Sequence, residues 1–201
     1  MDVFKSLTVK FLLFLMASLP IAVARIFARQ VGRLLWSLGG RSYRVTCRNI
    51  ELAYPELDSP DQSNLAKQSF LSTAELAGEM GWVWLRPWSK VQKRIVQVSG
   101  SELVEDALKD GRGVVVLAPH LGNWEVLGLH LGTLGQVVSL YEPVKLQSLS
   151  SLIVRARQRS GAVLVPTTKR GIASVVKSVR AGHIAGILPD QVPTQSASGE
   201  N

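Results

Sequence analysis

The sequence predicts an α/β fold with a largely parallel sheet flanked by helices, on three observations. From Val114 onward, short apolar runs rich in β-branched residues alternate with helical patterns, as strands joined by crossover helices do. The first run, Val114 to Ala118, is continuously apolar and stops at Pro119, which suits a strand covered on both faces. Before it the chain shows helical periodicity and opens on an apolar segment bounded by basic residues, which reads as a membrane-anchoring helix.

The bulk properties narrow the function classes. A chain of 201 residues suits one domain with a sizeable core. Its 46% hydrophobic content and mean hydropathy of +0.17 are high for a freely soluble protein, so a membrane association is expected. The net charge of +8 points to an anionic partner: a phospholipid surface, a phosphorylated lipid or a nucleic acid. Nucleic acid is disfavoured, because there is no zinc-finger spacing, no basic region with heptads and no aromatic RNA-binding signature. Cys47 is the only cysteine, which excludes an internal disulfide and a Cys-rich metal site.

In chain order, the uncharged stretch from Phe11 to Ala24 reaches bilayer-spanning length only if Lys10 snorkels and Ser6 to Val9 are included. Residues 1–24 are therefore read as the anchor. Ala22-Val23-Ala24 also has the pattern of a signal-peptidase site, which would imply a periplasmic protein. Arg25, Arg29 and Arg33 recur at i, i+4 and i+8 beside apolar neighbours, the pattern of a basic interfacial helix or of a solvated helix face. Arg41, Arg44 and Arg48 extend the basic excess and place this flank on the cytoplasmic side. Asn49 to Pro60 reads as a helix end and a loop, and Leu65 to Leu85 as a helix. Trp82, Trp84 and Trp88 fit either an interfacial aromatic belt or core packing. Ser99 and Glu102 have capping-box spacing for a helix through Leu108 that Gly111 closes. Strands are then expected at Val114 to Ala118, Val137 to Tyr141, Ala162 to Val165 and Ile184 to Leu188, with helices from Leu146 to Arg159 and Gly171 to Ala181. The tail after Pro189 is polar and brings no further element.

Chemistry concentrates at the corner after the first strand. Gly122 and Asn123 can turn the chain and cap a helix, leaving His120 in the strand-to-helix corner and Glu125 in the first helical turn. Open α/β sheets keep their sites at that edge. Within one regular helix the H-x4-E spacing would splay the two side chains by about 140°. From the corner, however, the imidazole can fold back toward Glu125, whose carboxylate would fix the tautomer and leave the other ring nitrogen to take a hydroxyl proton. A structural His at a corner and a surface Glu at a helix start account for the same residues. A metal site using His120, Glu125 and His130 is disfavoured, because steps of five spread ligands around a helix. Lys169 and Arg170 stand at a helix N-terminus, where cations oppose the dipole unless an anion intervenes. Arg155, Arg157 and Arg159 point to different faces of one helix, and spacing alone does not choose among them. Asp190 follows a strand end on the His120 edge, free to pair with such an Arg or to stand as a solvated turn residue.

Taken together, these blocks resemble the lipid A late acyltransferases, the lauroyl and myristoyl transferase branch of the lysophospholipid acyltransferase superfamily. The resemblance rests on the N-terminal anchor, Asn49-Ile50 with Tyr54-Pro55-Glu56, and Ala118 to Glu125 (APHLGNWE). It continues through Tyr141-Glu142-Pro143, Arg155-Ala156-Arg157, Val165-Pro166-Thr167 with Lys169-Arg170-Gly171, and Gly186 to Gln191. It implies an enzyme of the bacterial inner membrane, its acyltransferase domain (residues 25–201) facing the cytoplasm. The enzyme would move an acyl chain from an acyl carrier protein thioester to a hydroxyl of an anionic glycolipid, a lipid A precursor. His120 would be the base and Glu125 its orienter. Asn123, Arg157, Arg170 and Asp190 would line the substrate site, with no metal and no cofactor. Where many relatives carry Arg, this chain has Glu142, which leaves another lysolipid or glycolipid acceptor open. The family continues past the PDQ block, so the domain is expected to be C-terminally incomplete, and a catalytically inactive, membrane-bound lipid-binding protein is the competing expectation.

Overall fold

The structure is a computed structural model that describes residues 2–144 and 147–190. The expected polar tail from Gln191 and the expected helix start at Leu146 lie outside the described residues. The chain divides into two compact units, residues 11–82 and residues 1–10 together with 83–201.

The first unit is helical. Helix α1 (Asp2–Ser18) enters it, followed by α2 (Ile21–Ser37), α3 (Arg41–Ala53) and α4 (Ser59–Leu85), which ends in the second unit. The expected anchor over residues 1–24 is not one continuous helix. Pro20 has no N–H to give to a helical ladder, so α1 stops before it and α2 starts after it. The 17 residues of α1 span about 26 Å, below the roughly 30 Å of a hydrocarbon core. Leu13, Met16 and Ala17 are spent on protein packing instead. Among the described residues no helix is long and apolar enough to cross a membrane.

Small residues set how α2 meets α4. Ala24, Ala28 and Gly32 are buried at i, i+4 and i+8, and a Cβ added at Gly32 or Gly78 would strike Ala74 or Ala28 respectively. The Ala22-Val23-Ala24 pattern therefore lies inside α2, with Ala24 fully buried. Arg25 and Arg29 turn to α4, where Arg25 Nε meets Glu79 Oε1 at 2.6 Å and Arg29 Nη1 meets Glu75 Oε1 at 2.5 Å. Two of the three arginines of the expected basic face are thus neutralised within the unit. Helix α4 begins six residues earlier than its apolar periodicity suggests, because the Asp58 carboxylate accepts from the Asp61 N–H and Pro60 fits the first turn. Trp82 is buried, as is the indole nitrogen of Trp84, so core packing rather than an aromatic belt describes both.

In the second unit, α5 (Trp88–Gln92) and α6 (Ser101–Lys109) lead to β1 (Val114–Leu117). There follow α7 (Trp124–Leu134), β2 (Val137–Tyr141), α8 (Gln147–Gln158), β3 (Val163–Pro166), α9 (Lys169–Arg180) and β4 (Ile184–Ile187). Helix α6 is entered through Gly100 in a left-handed conformation, φ +84°, with no side-chain cap, so the expected capping box is not formed. The four strands form one parallel sheet in the order β1-β4-β2-β3. On one face Leu131, Val137 and Ile184 pack with Val104, Leu108 and Val116 from α6 and β1. On the other, Val175 of α9 packs with Val138 and Ala185. Helix α9 covers β2, β3 and β4, while Val115 and Leu117 on β1 stay exposed.

Gly171, in the first turn of α9, lets that helix sit on the end of β3, because a Cβ there would overlap the Pro166 carbonyl oxygen. The Thr168 hydroxyl accepts from the Gly171 N–H and fixes the same turn. Gly171→Ala is expected to destabilise the protein by roughly 1–3 kcal/mol, since backbone rather than a movable side chain is in the way. Gly128→Ala, in α7 where an added Cβ meets nothing within 4 Å, is expected to stabilise it by about 0.5–1 kcal/mol. Denaturant unfolding of both variants checks the pair.

Candidate active site

Strands β1 and β4 run side by side, with Val114 opposite Ile184 and Leu117 opposite Ile187. Both end alike, as Leu117-Ala118-Pro119-His120 and Ile187-Leu188-Pro189-Asp190. The last ladder bond runs from Ala118 N–H to Ile187 O at 2.8 Å. Pro119 and Pro189 then have no N–H to donate, so backbone pairing stops. One step further, the Asp190 carboxylate takes over. Its Oδ2 accepts from the His120 backbone N–H at 2.7 Å, and its Oδ1 lies 2.9 Å from His120 Nδ1. Hydrogen bonding from the His120 side chain, and next from its backbone, holds the Asp190 carboxyl below the usual Asp value. The imidazole also packs against the Trp124 ring in a T-shaped arrangement, with centroids 4.5 Å apart and planes at 68°.

Glu125 lies in the first turn of α7, where its charge suits the helix dipole, and is only 5% exposed. Its partner is Arg157. Arg157 Nε donates to Oε1 at 3.1 Å and to Oε2 at 3.0 Å, and Nη2 donates to Oε1 at 2.5 Å. The expected His120–Glu125 hydrogen bond is therefore replaced by two separate pairs, His120 with Asp190 and Glu125 with Arg157. The reason is geometric: α8 presents a fork-shaped donor to a buried carboxylate, while the sheet register delivers a second carboxylate to His120. Asp190 likewise pairs with the histidine rather than with an arginine.

The three arginines at the end of α8 now separate, Arg159 lying one residue past the helix. Arg155 is exposed, and Arg157 meets Glu125 while lying over the Tyr141 ring at 5.5 Å. Arg159 donates from Nη1 to Trp84 O at 3.3 Å and to Arg86 O at 2.6 Å, and from Nη2 to Val83 O. It caps the end of α4, and burial pushes its pKa down. The Tyr141 hydroxyl in turn lies 2.7 Å from the Ser150 hydroxyl.

A cleft of about 510 Å³, counted with its open mouth, lies on the α7 and α8 face of the sheet. Leu129, Val137, Leu140 and Leu164 give it apolar walls; Glu125, Arg157 and Ser139 are its polar groups. Gly128 faces it without a side chain, and Trp124 both lines it and packs on His120. Asn123 occupies the N-cap position of α7 but makes no cap hydrogen bond. Arg170 is exposed on α9 and forms no ion pair among the described residues. His130 is held in α7 with both ring nitrogens buried and without a hydrogen-bond partner among the described residues, and His183 Nδ1 meets the Ser178 hydroxyl at 3.1 Å. Among the described residues no group of three or more His, Cys, Asp or Glu is placed to hold a metal ion. Spacing alone does not mark Trp124, Tyr141 or Gly128 as site residues. The His120–Asp190 pairing does carry a sequence signal, the strand-Pro-polar ending that recurs 70 residues apart.

Residues 3–200 match the family described as bacterial lipid A biosynthesis acyltransferase. The chain belongs to this family. It is 24% identical over 179 residues to the lipid A biosynthesis palmitoleoyltransferase of Escherichia coli (strain K12), covering 89% of this chain and 58% of that protein. The lipid A biosynthesis lauroyltransferase of the same organism is 22% identical over 178 residues, covering 89% of this chain and 57% of its own length. The myristoyltransferase is 26% identical over 167 residues, covering 83% and 51%. The chain thus spans about half to three fifths of the length of these relatives. In this member of the acyltransferase family, Glu125 depends on Arg157 for its counter-charge. Arg157→Ala leaves a buried carboxylate alone and is expected to cost on the order of 3 kcal/mol. Arg155→Ala, at an exposed position of the same helix, is expected to stay within about 0.5 kcal/mol of wild type in the same unfolding measurement.

Proposed function

We propose that this chain carries the acyl-transfer site of a lipid A acyltransferase, in which His120 is the base that activates the acceptor hydroxyl. One observation carries the reading. His120 sits at the carboxyl edge of the parallel sheet, and Trp124, packed on its ring, also lines an apolar cleft. A base beside an apolar groove suits a reaction between a fatty acyl thioester and a lipid-borne hydroxyl.

The donor is an acyl carrier protein thioester, its acyl chain lying along Leu129, Val137, Leu140 and Leu164, with Gly128 leaving room. The acceptor is a hydroxyl on an anionic lipid A precursor. His120 takes the hydroxyl proton through Nε2 while the oxygen attacks the thioester carbonyl. The C–O bond forms, the C–S bond breaks, and the proton passes to the departing thiolate. The attack is direct and leaves no acyl group on the protein. Arg157, fixed by Glu125 at the cleft, has Nη1 unused among the described residues and offers it to the developing oxyanion or to an acceptor phosphate. Arg170, exposed at the α9 N-terminus, is a second contact for an anionic headgroup.

Work at a membrane surface follows from the same reading. On the helical unit Phe11, Phe14, Ile26 and Leu34 are each 60–67% exposed, and the chain carries a net charge of +8, the combination that binds an anionic lipid interface. The inner membrane, with this domain on its cytoplasmic side, is where acyl carrier protein is available.

Membranes carrying the protein, supplied with acyl carrier protein thioester and a lipid A precursor, test the proposal by mass spectrometry of the lipid product. The expected result is a product heavier by one acyl chain, with His120→Ala slower by roughly 10²- to 10⁴-fold. Undiminished transfer by that variant contradicts the assignment, and a product built on a different lipid moves it to another acceptor.

A further inference from the structure

We infer that Asp190 is the positioning residue of the His120 base, gripping the imidazole through Nδ1 and the same residue's main chain through its N–H, so that Nε2 is left to accept a proton. The inference rests on the acyl-transfer reading for the reaction concerned, but its geometry is independent of the substrate.

Both oxygens of Asp190 are spent on one residue, at 2.7 Å to the His120 N–H and 2.9 Å to Nδ1. A backbone N–H can only donate, and an ionised carboxylate can only accept. Hydrogen bonding from His120 holds the Asp190 carboxyl below the usual Asp value, so it is ionised at neutral pH. The Nδ1 atom must therefore carry the proton in the neutral ring, which leaves the lone pair on Nε2. Two bonds from one carboxylate also fix the ring relative to the main chain, and the Trp124 ring packs against it with centroids 4.5 Å apart. Glu125 does not compete for this role, because both of its oxygens are held by Arg157. Among the described residues the charged group bonded to the ring is Asp190 from the β4 end, while Glu125 and Arg157 pair with each other.

An asparagine cannot reproduce the grip. With its one acceptor on the backbone N–H, its amide N–H₂ faces Nδ1 and favours the ring protonated on Nε2, the wrong tautomer for a base. Asp190→Asn is therefore expected to lower kcat by roughly 10- to 100-fold with KM within about twofold, because Asp190 positions the base rather than binding substrate. The tautomer itself is read by long-range ¹H–¹⁵N NMR of histidine-labelled protein in detergent micelles, with the His120 signals assigned by His130→Gln and His183→Gln variants. Wild type is expected to show neutral His120 protonated at Nδ1, and Asp190→Asn to show it protonated at Nε2. A wild-type ring protonated at Nε2 overturns the inference without need of any Asp190 variant, as does a folded Asp190→Asn protein with unchanged kcat. Retained transfer by His120→Ala overturns the acyl-transfer reading instead, and the tautomer measurement still decides what Asp190 does.

Discussion

The parallel register of β1 and β4 is the constraint on which the site depends. Because Leu117 stands opposite Ile187 and each strand is ended by a proline two residues later, His120 and Asp190 leave the sheet side by side. Neither proline can extend the ladder, so a carboxylate replaces a carbonyl as the next acceptor. A slip of one residue would turn the strand faces over and separate the pair. Ile184 and Ala185, both fully buried, hold that register from opposite faces of the sheet.

The second carboxylate is built on a different principle. Glu125 is buried, and a buried carboxylate persists only with a counter-charge and hydrogen bonds. Arg157 supplies both, lying on Tyr141, which is itself tied to Ser150. Just past the end of α8, Arg159 fastens that helix to carbonyls at the end of α4. The guanidinium at the cleft is therefore held from several directions before any substrate arrives, which is what electrostatic stabilisation of a developing charge requires.

Much of this was legible in the sequence, and the parts that were not have physical reasons. Strand β2 runs over the expected residues, and β1, β3 and β4 differ by one residue at their ends, because β-branched runs bounded by Gly and Pro leave few alternatives. The corner at His120, with Glu125 in the first helical turn, also follows from local chemistry. Partner choice does not. Whether Glu125 meets His120 or Arg157 depends on how α8 packs against α7, where Gly132 lies against Ser160 just past the end of α8, and such packing leaves no periodic trace. A single anchoring helix over residues 1–24 is not what forms, since hydropathy counts the apolar residues on both sides of Pro20, which splits them into two helices. The early start of α4 escaped because Asp58 and Pro60 look like loop residues unless they are taken as a cap and a first turn.

Membership of the lipid A acyltransferase family and the geometry at the β1–β4 edge meet in one claim: that His120 and Asp190 act as a unit in acyl transfer. A double-mutant cycle on the transfer rate tests it most directly. If the two residues are one device, Asp190→Asn slows wild type but adds nothing to His120→Ala, and the double variant matches the His120→Ala rate. Multiplicative losses in the double variant would contradict the account, because they would show Asp190 acting on the reaction without His120.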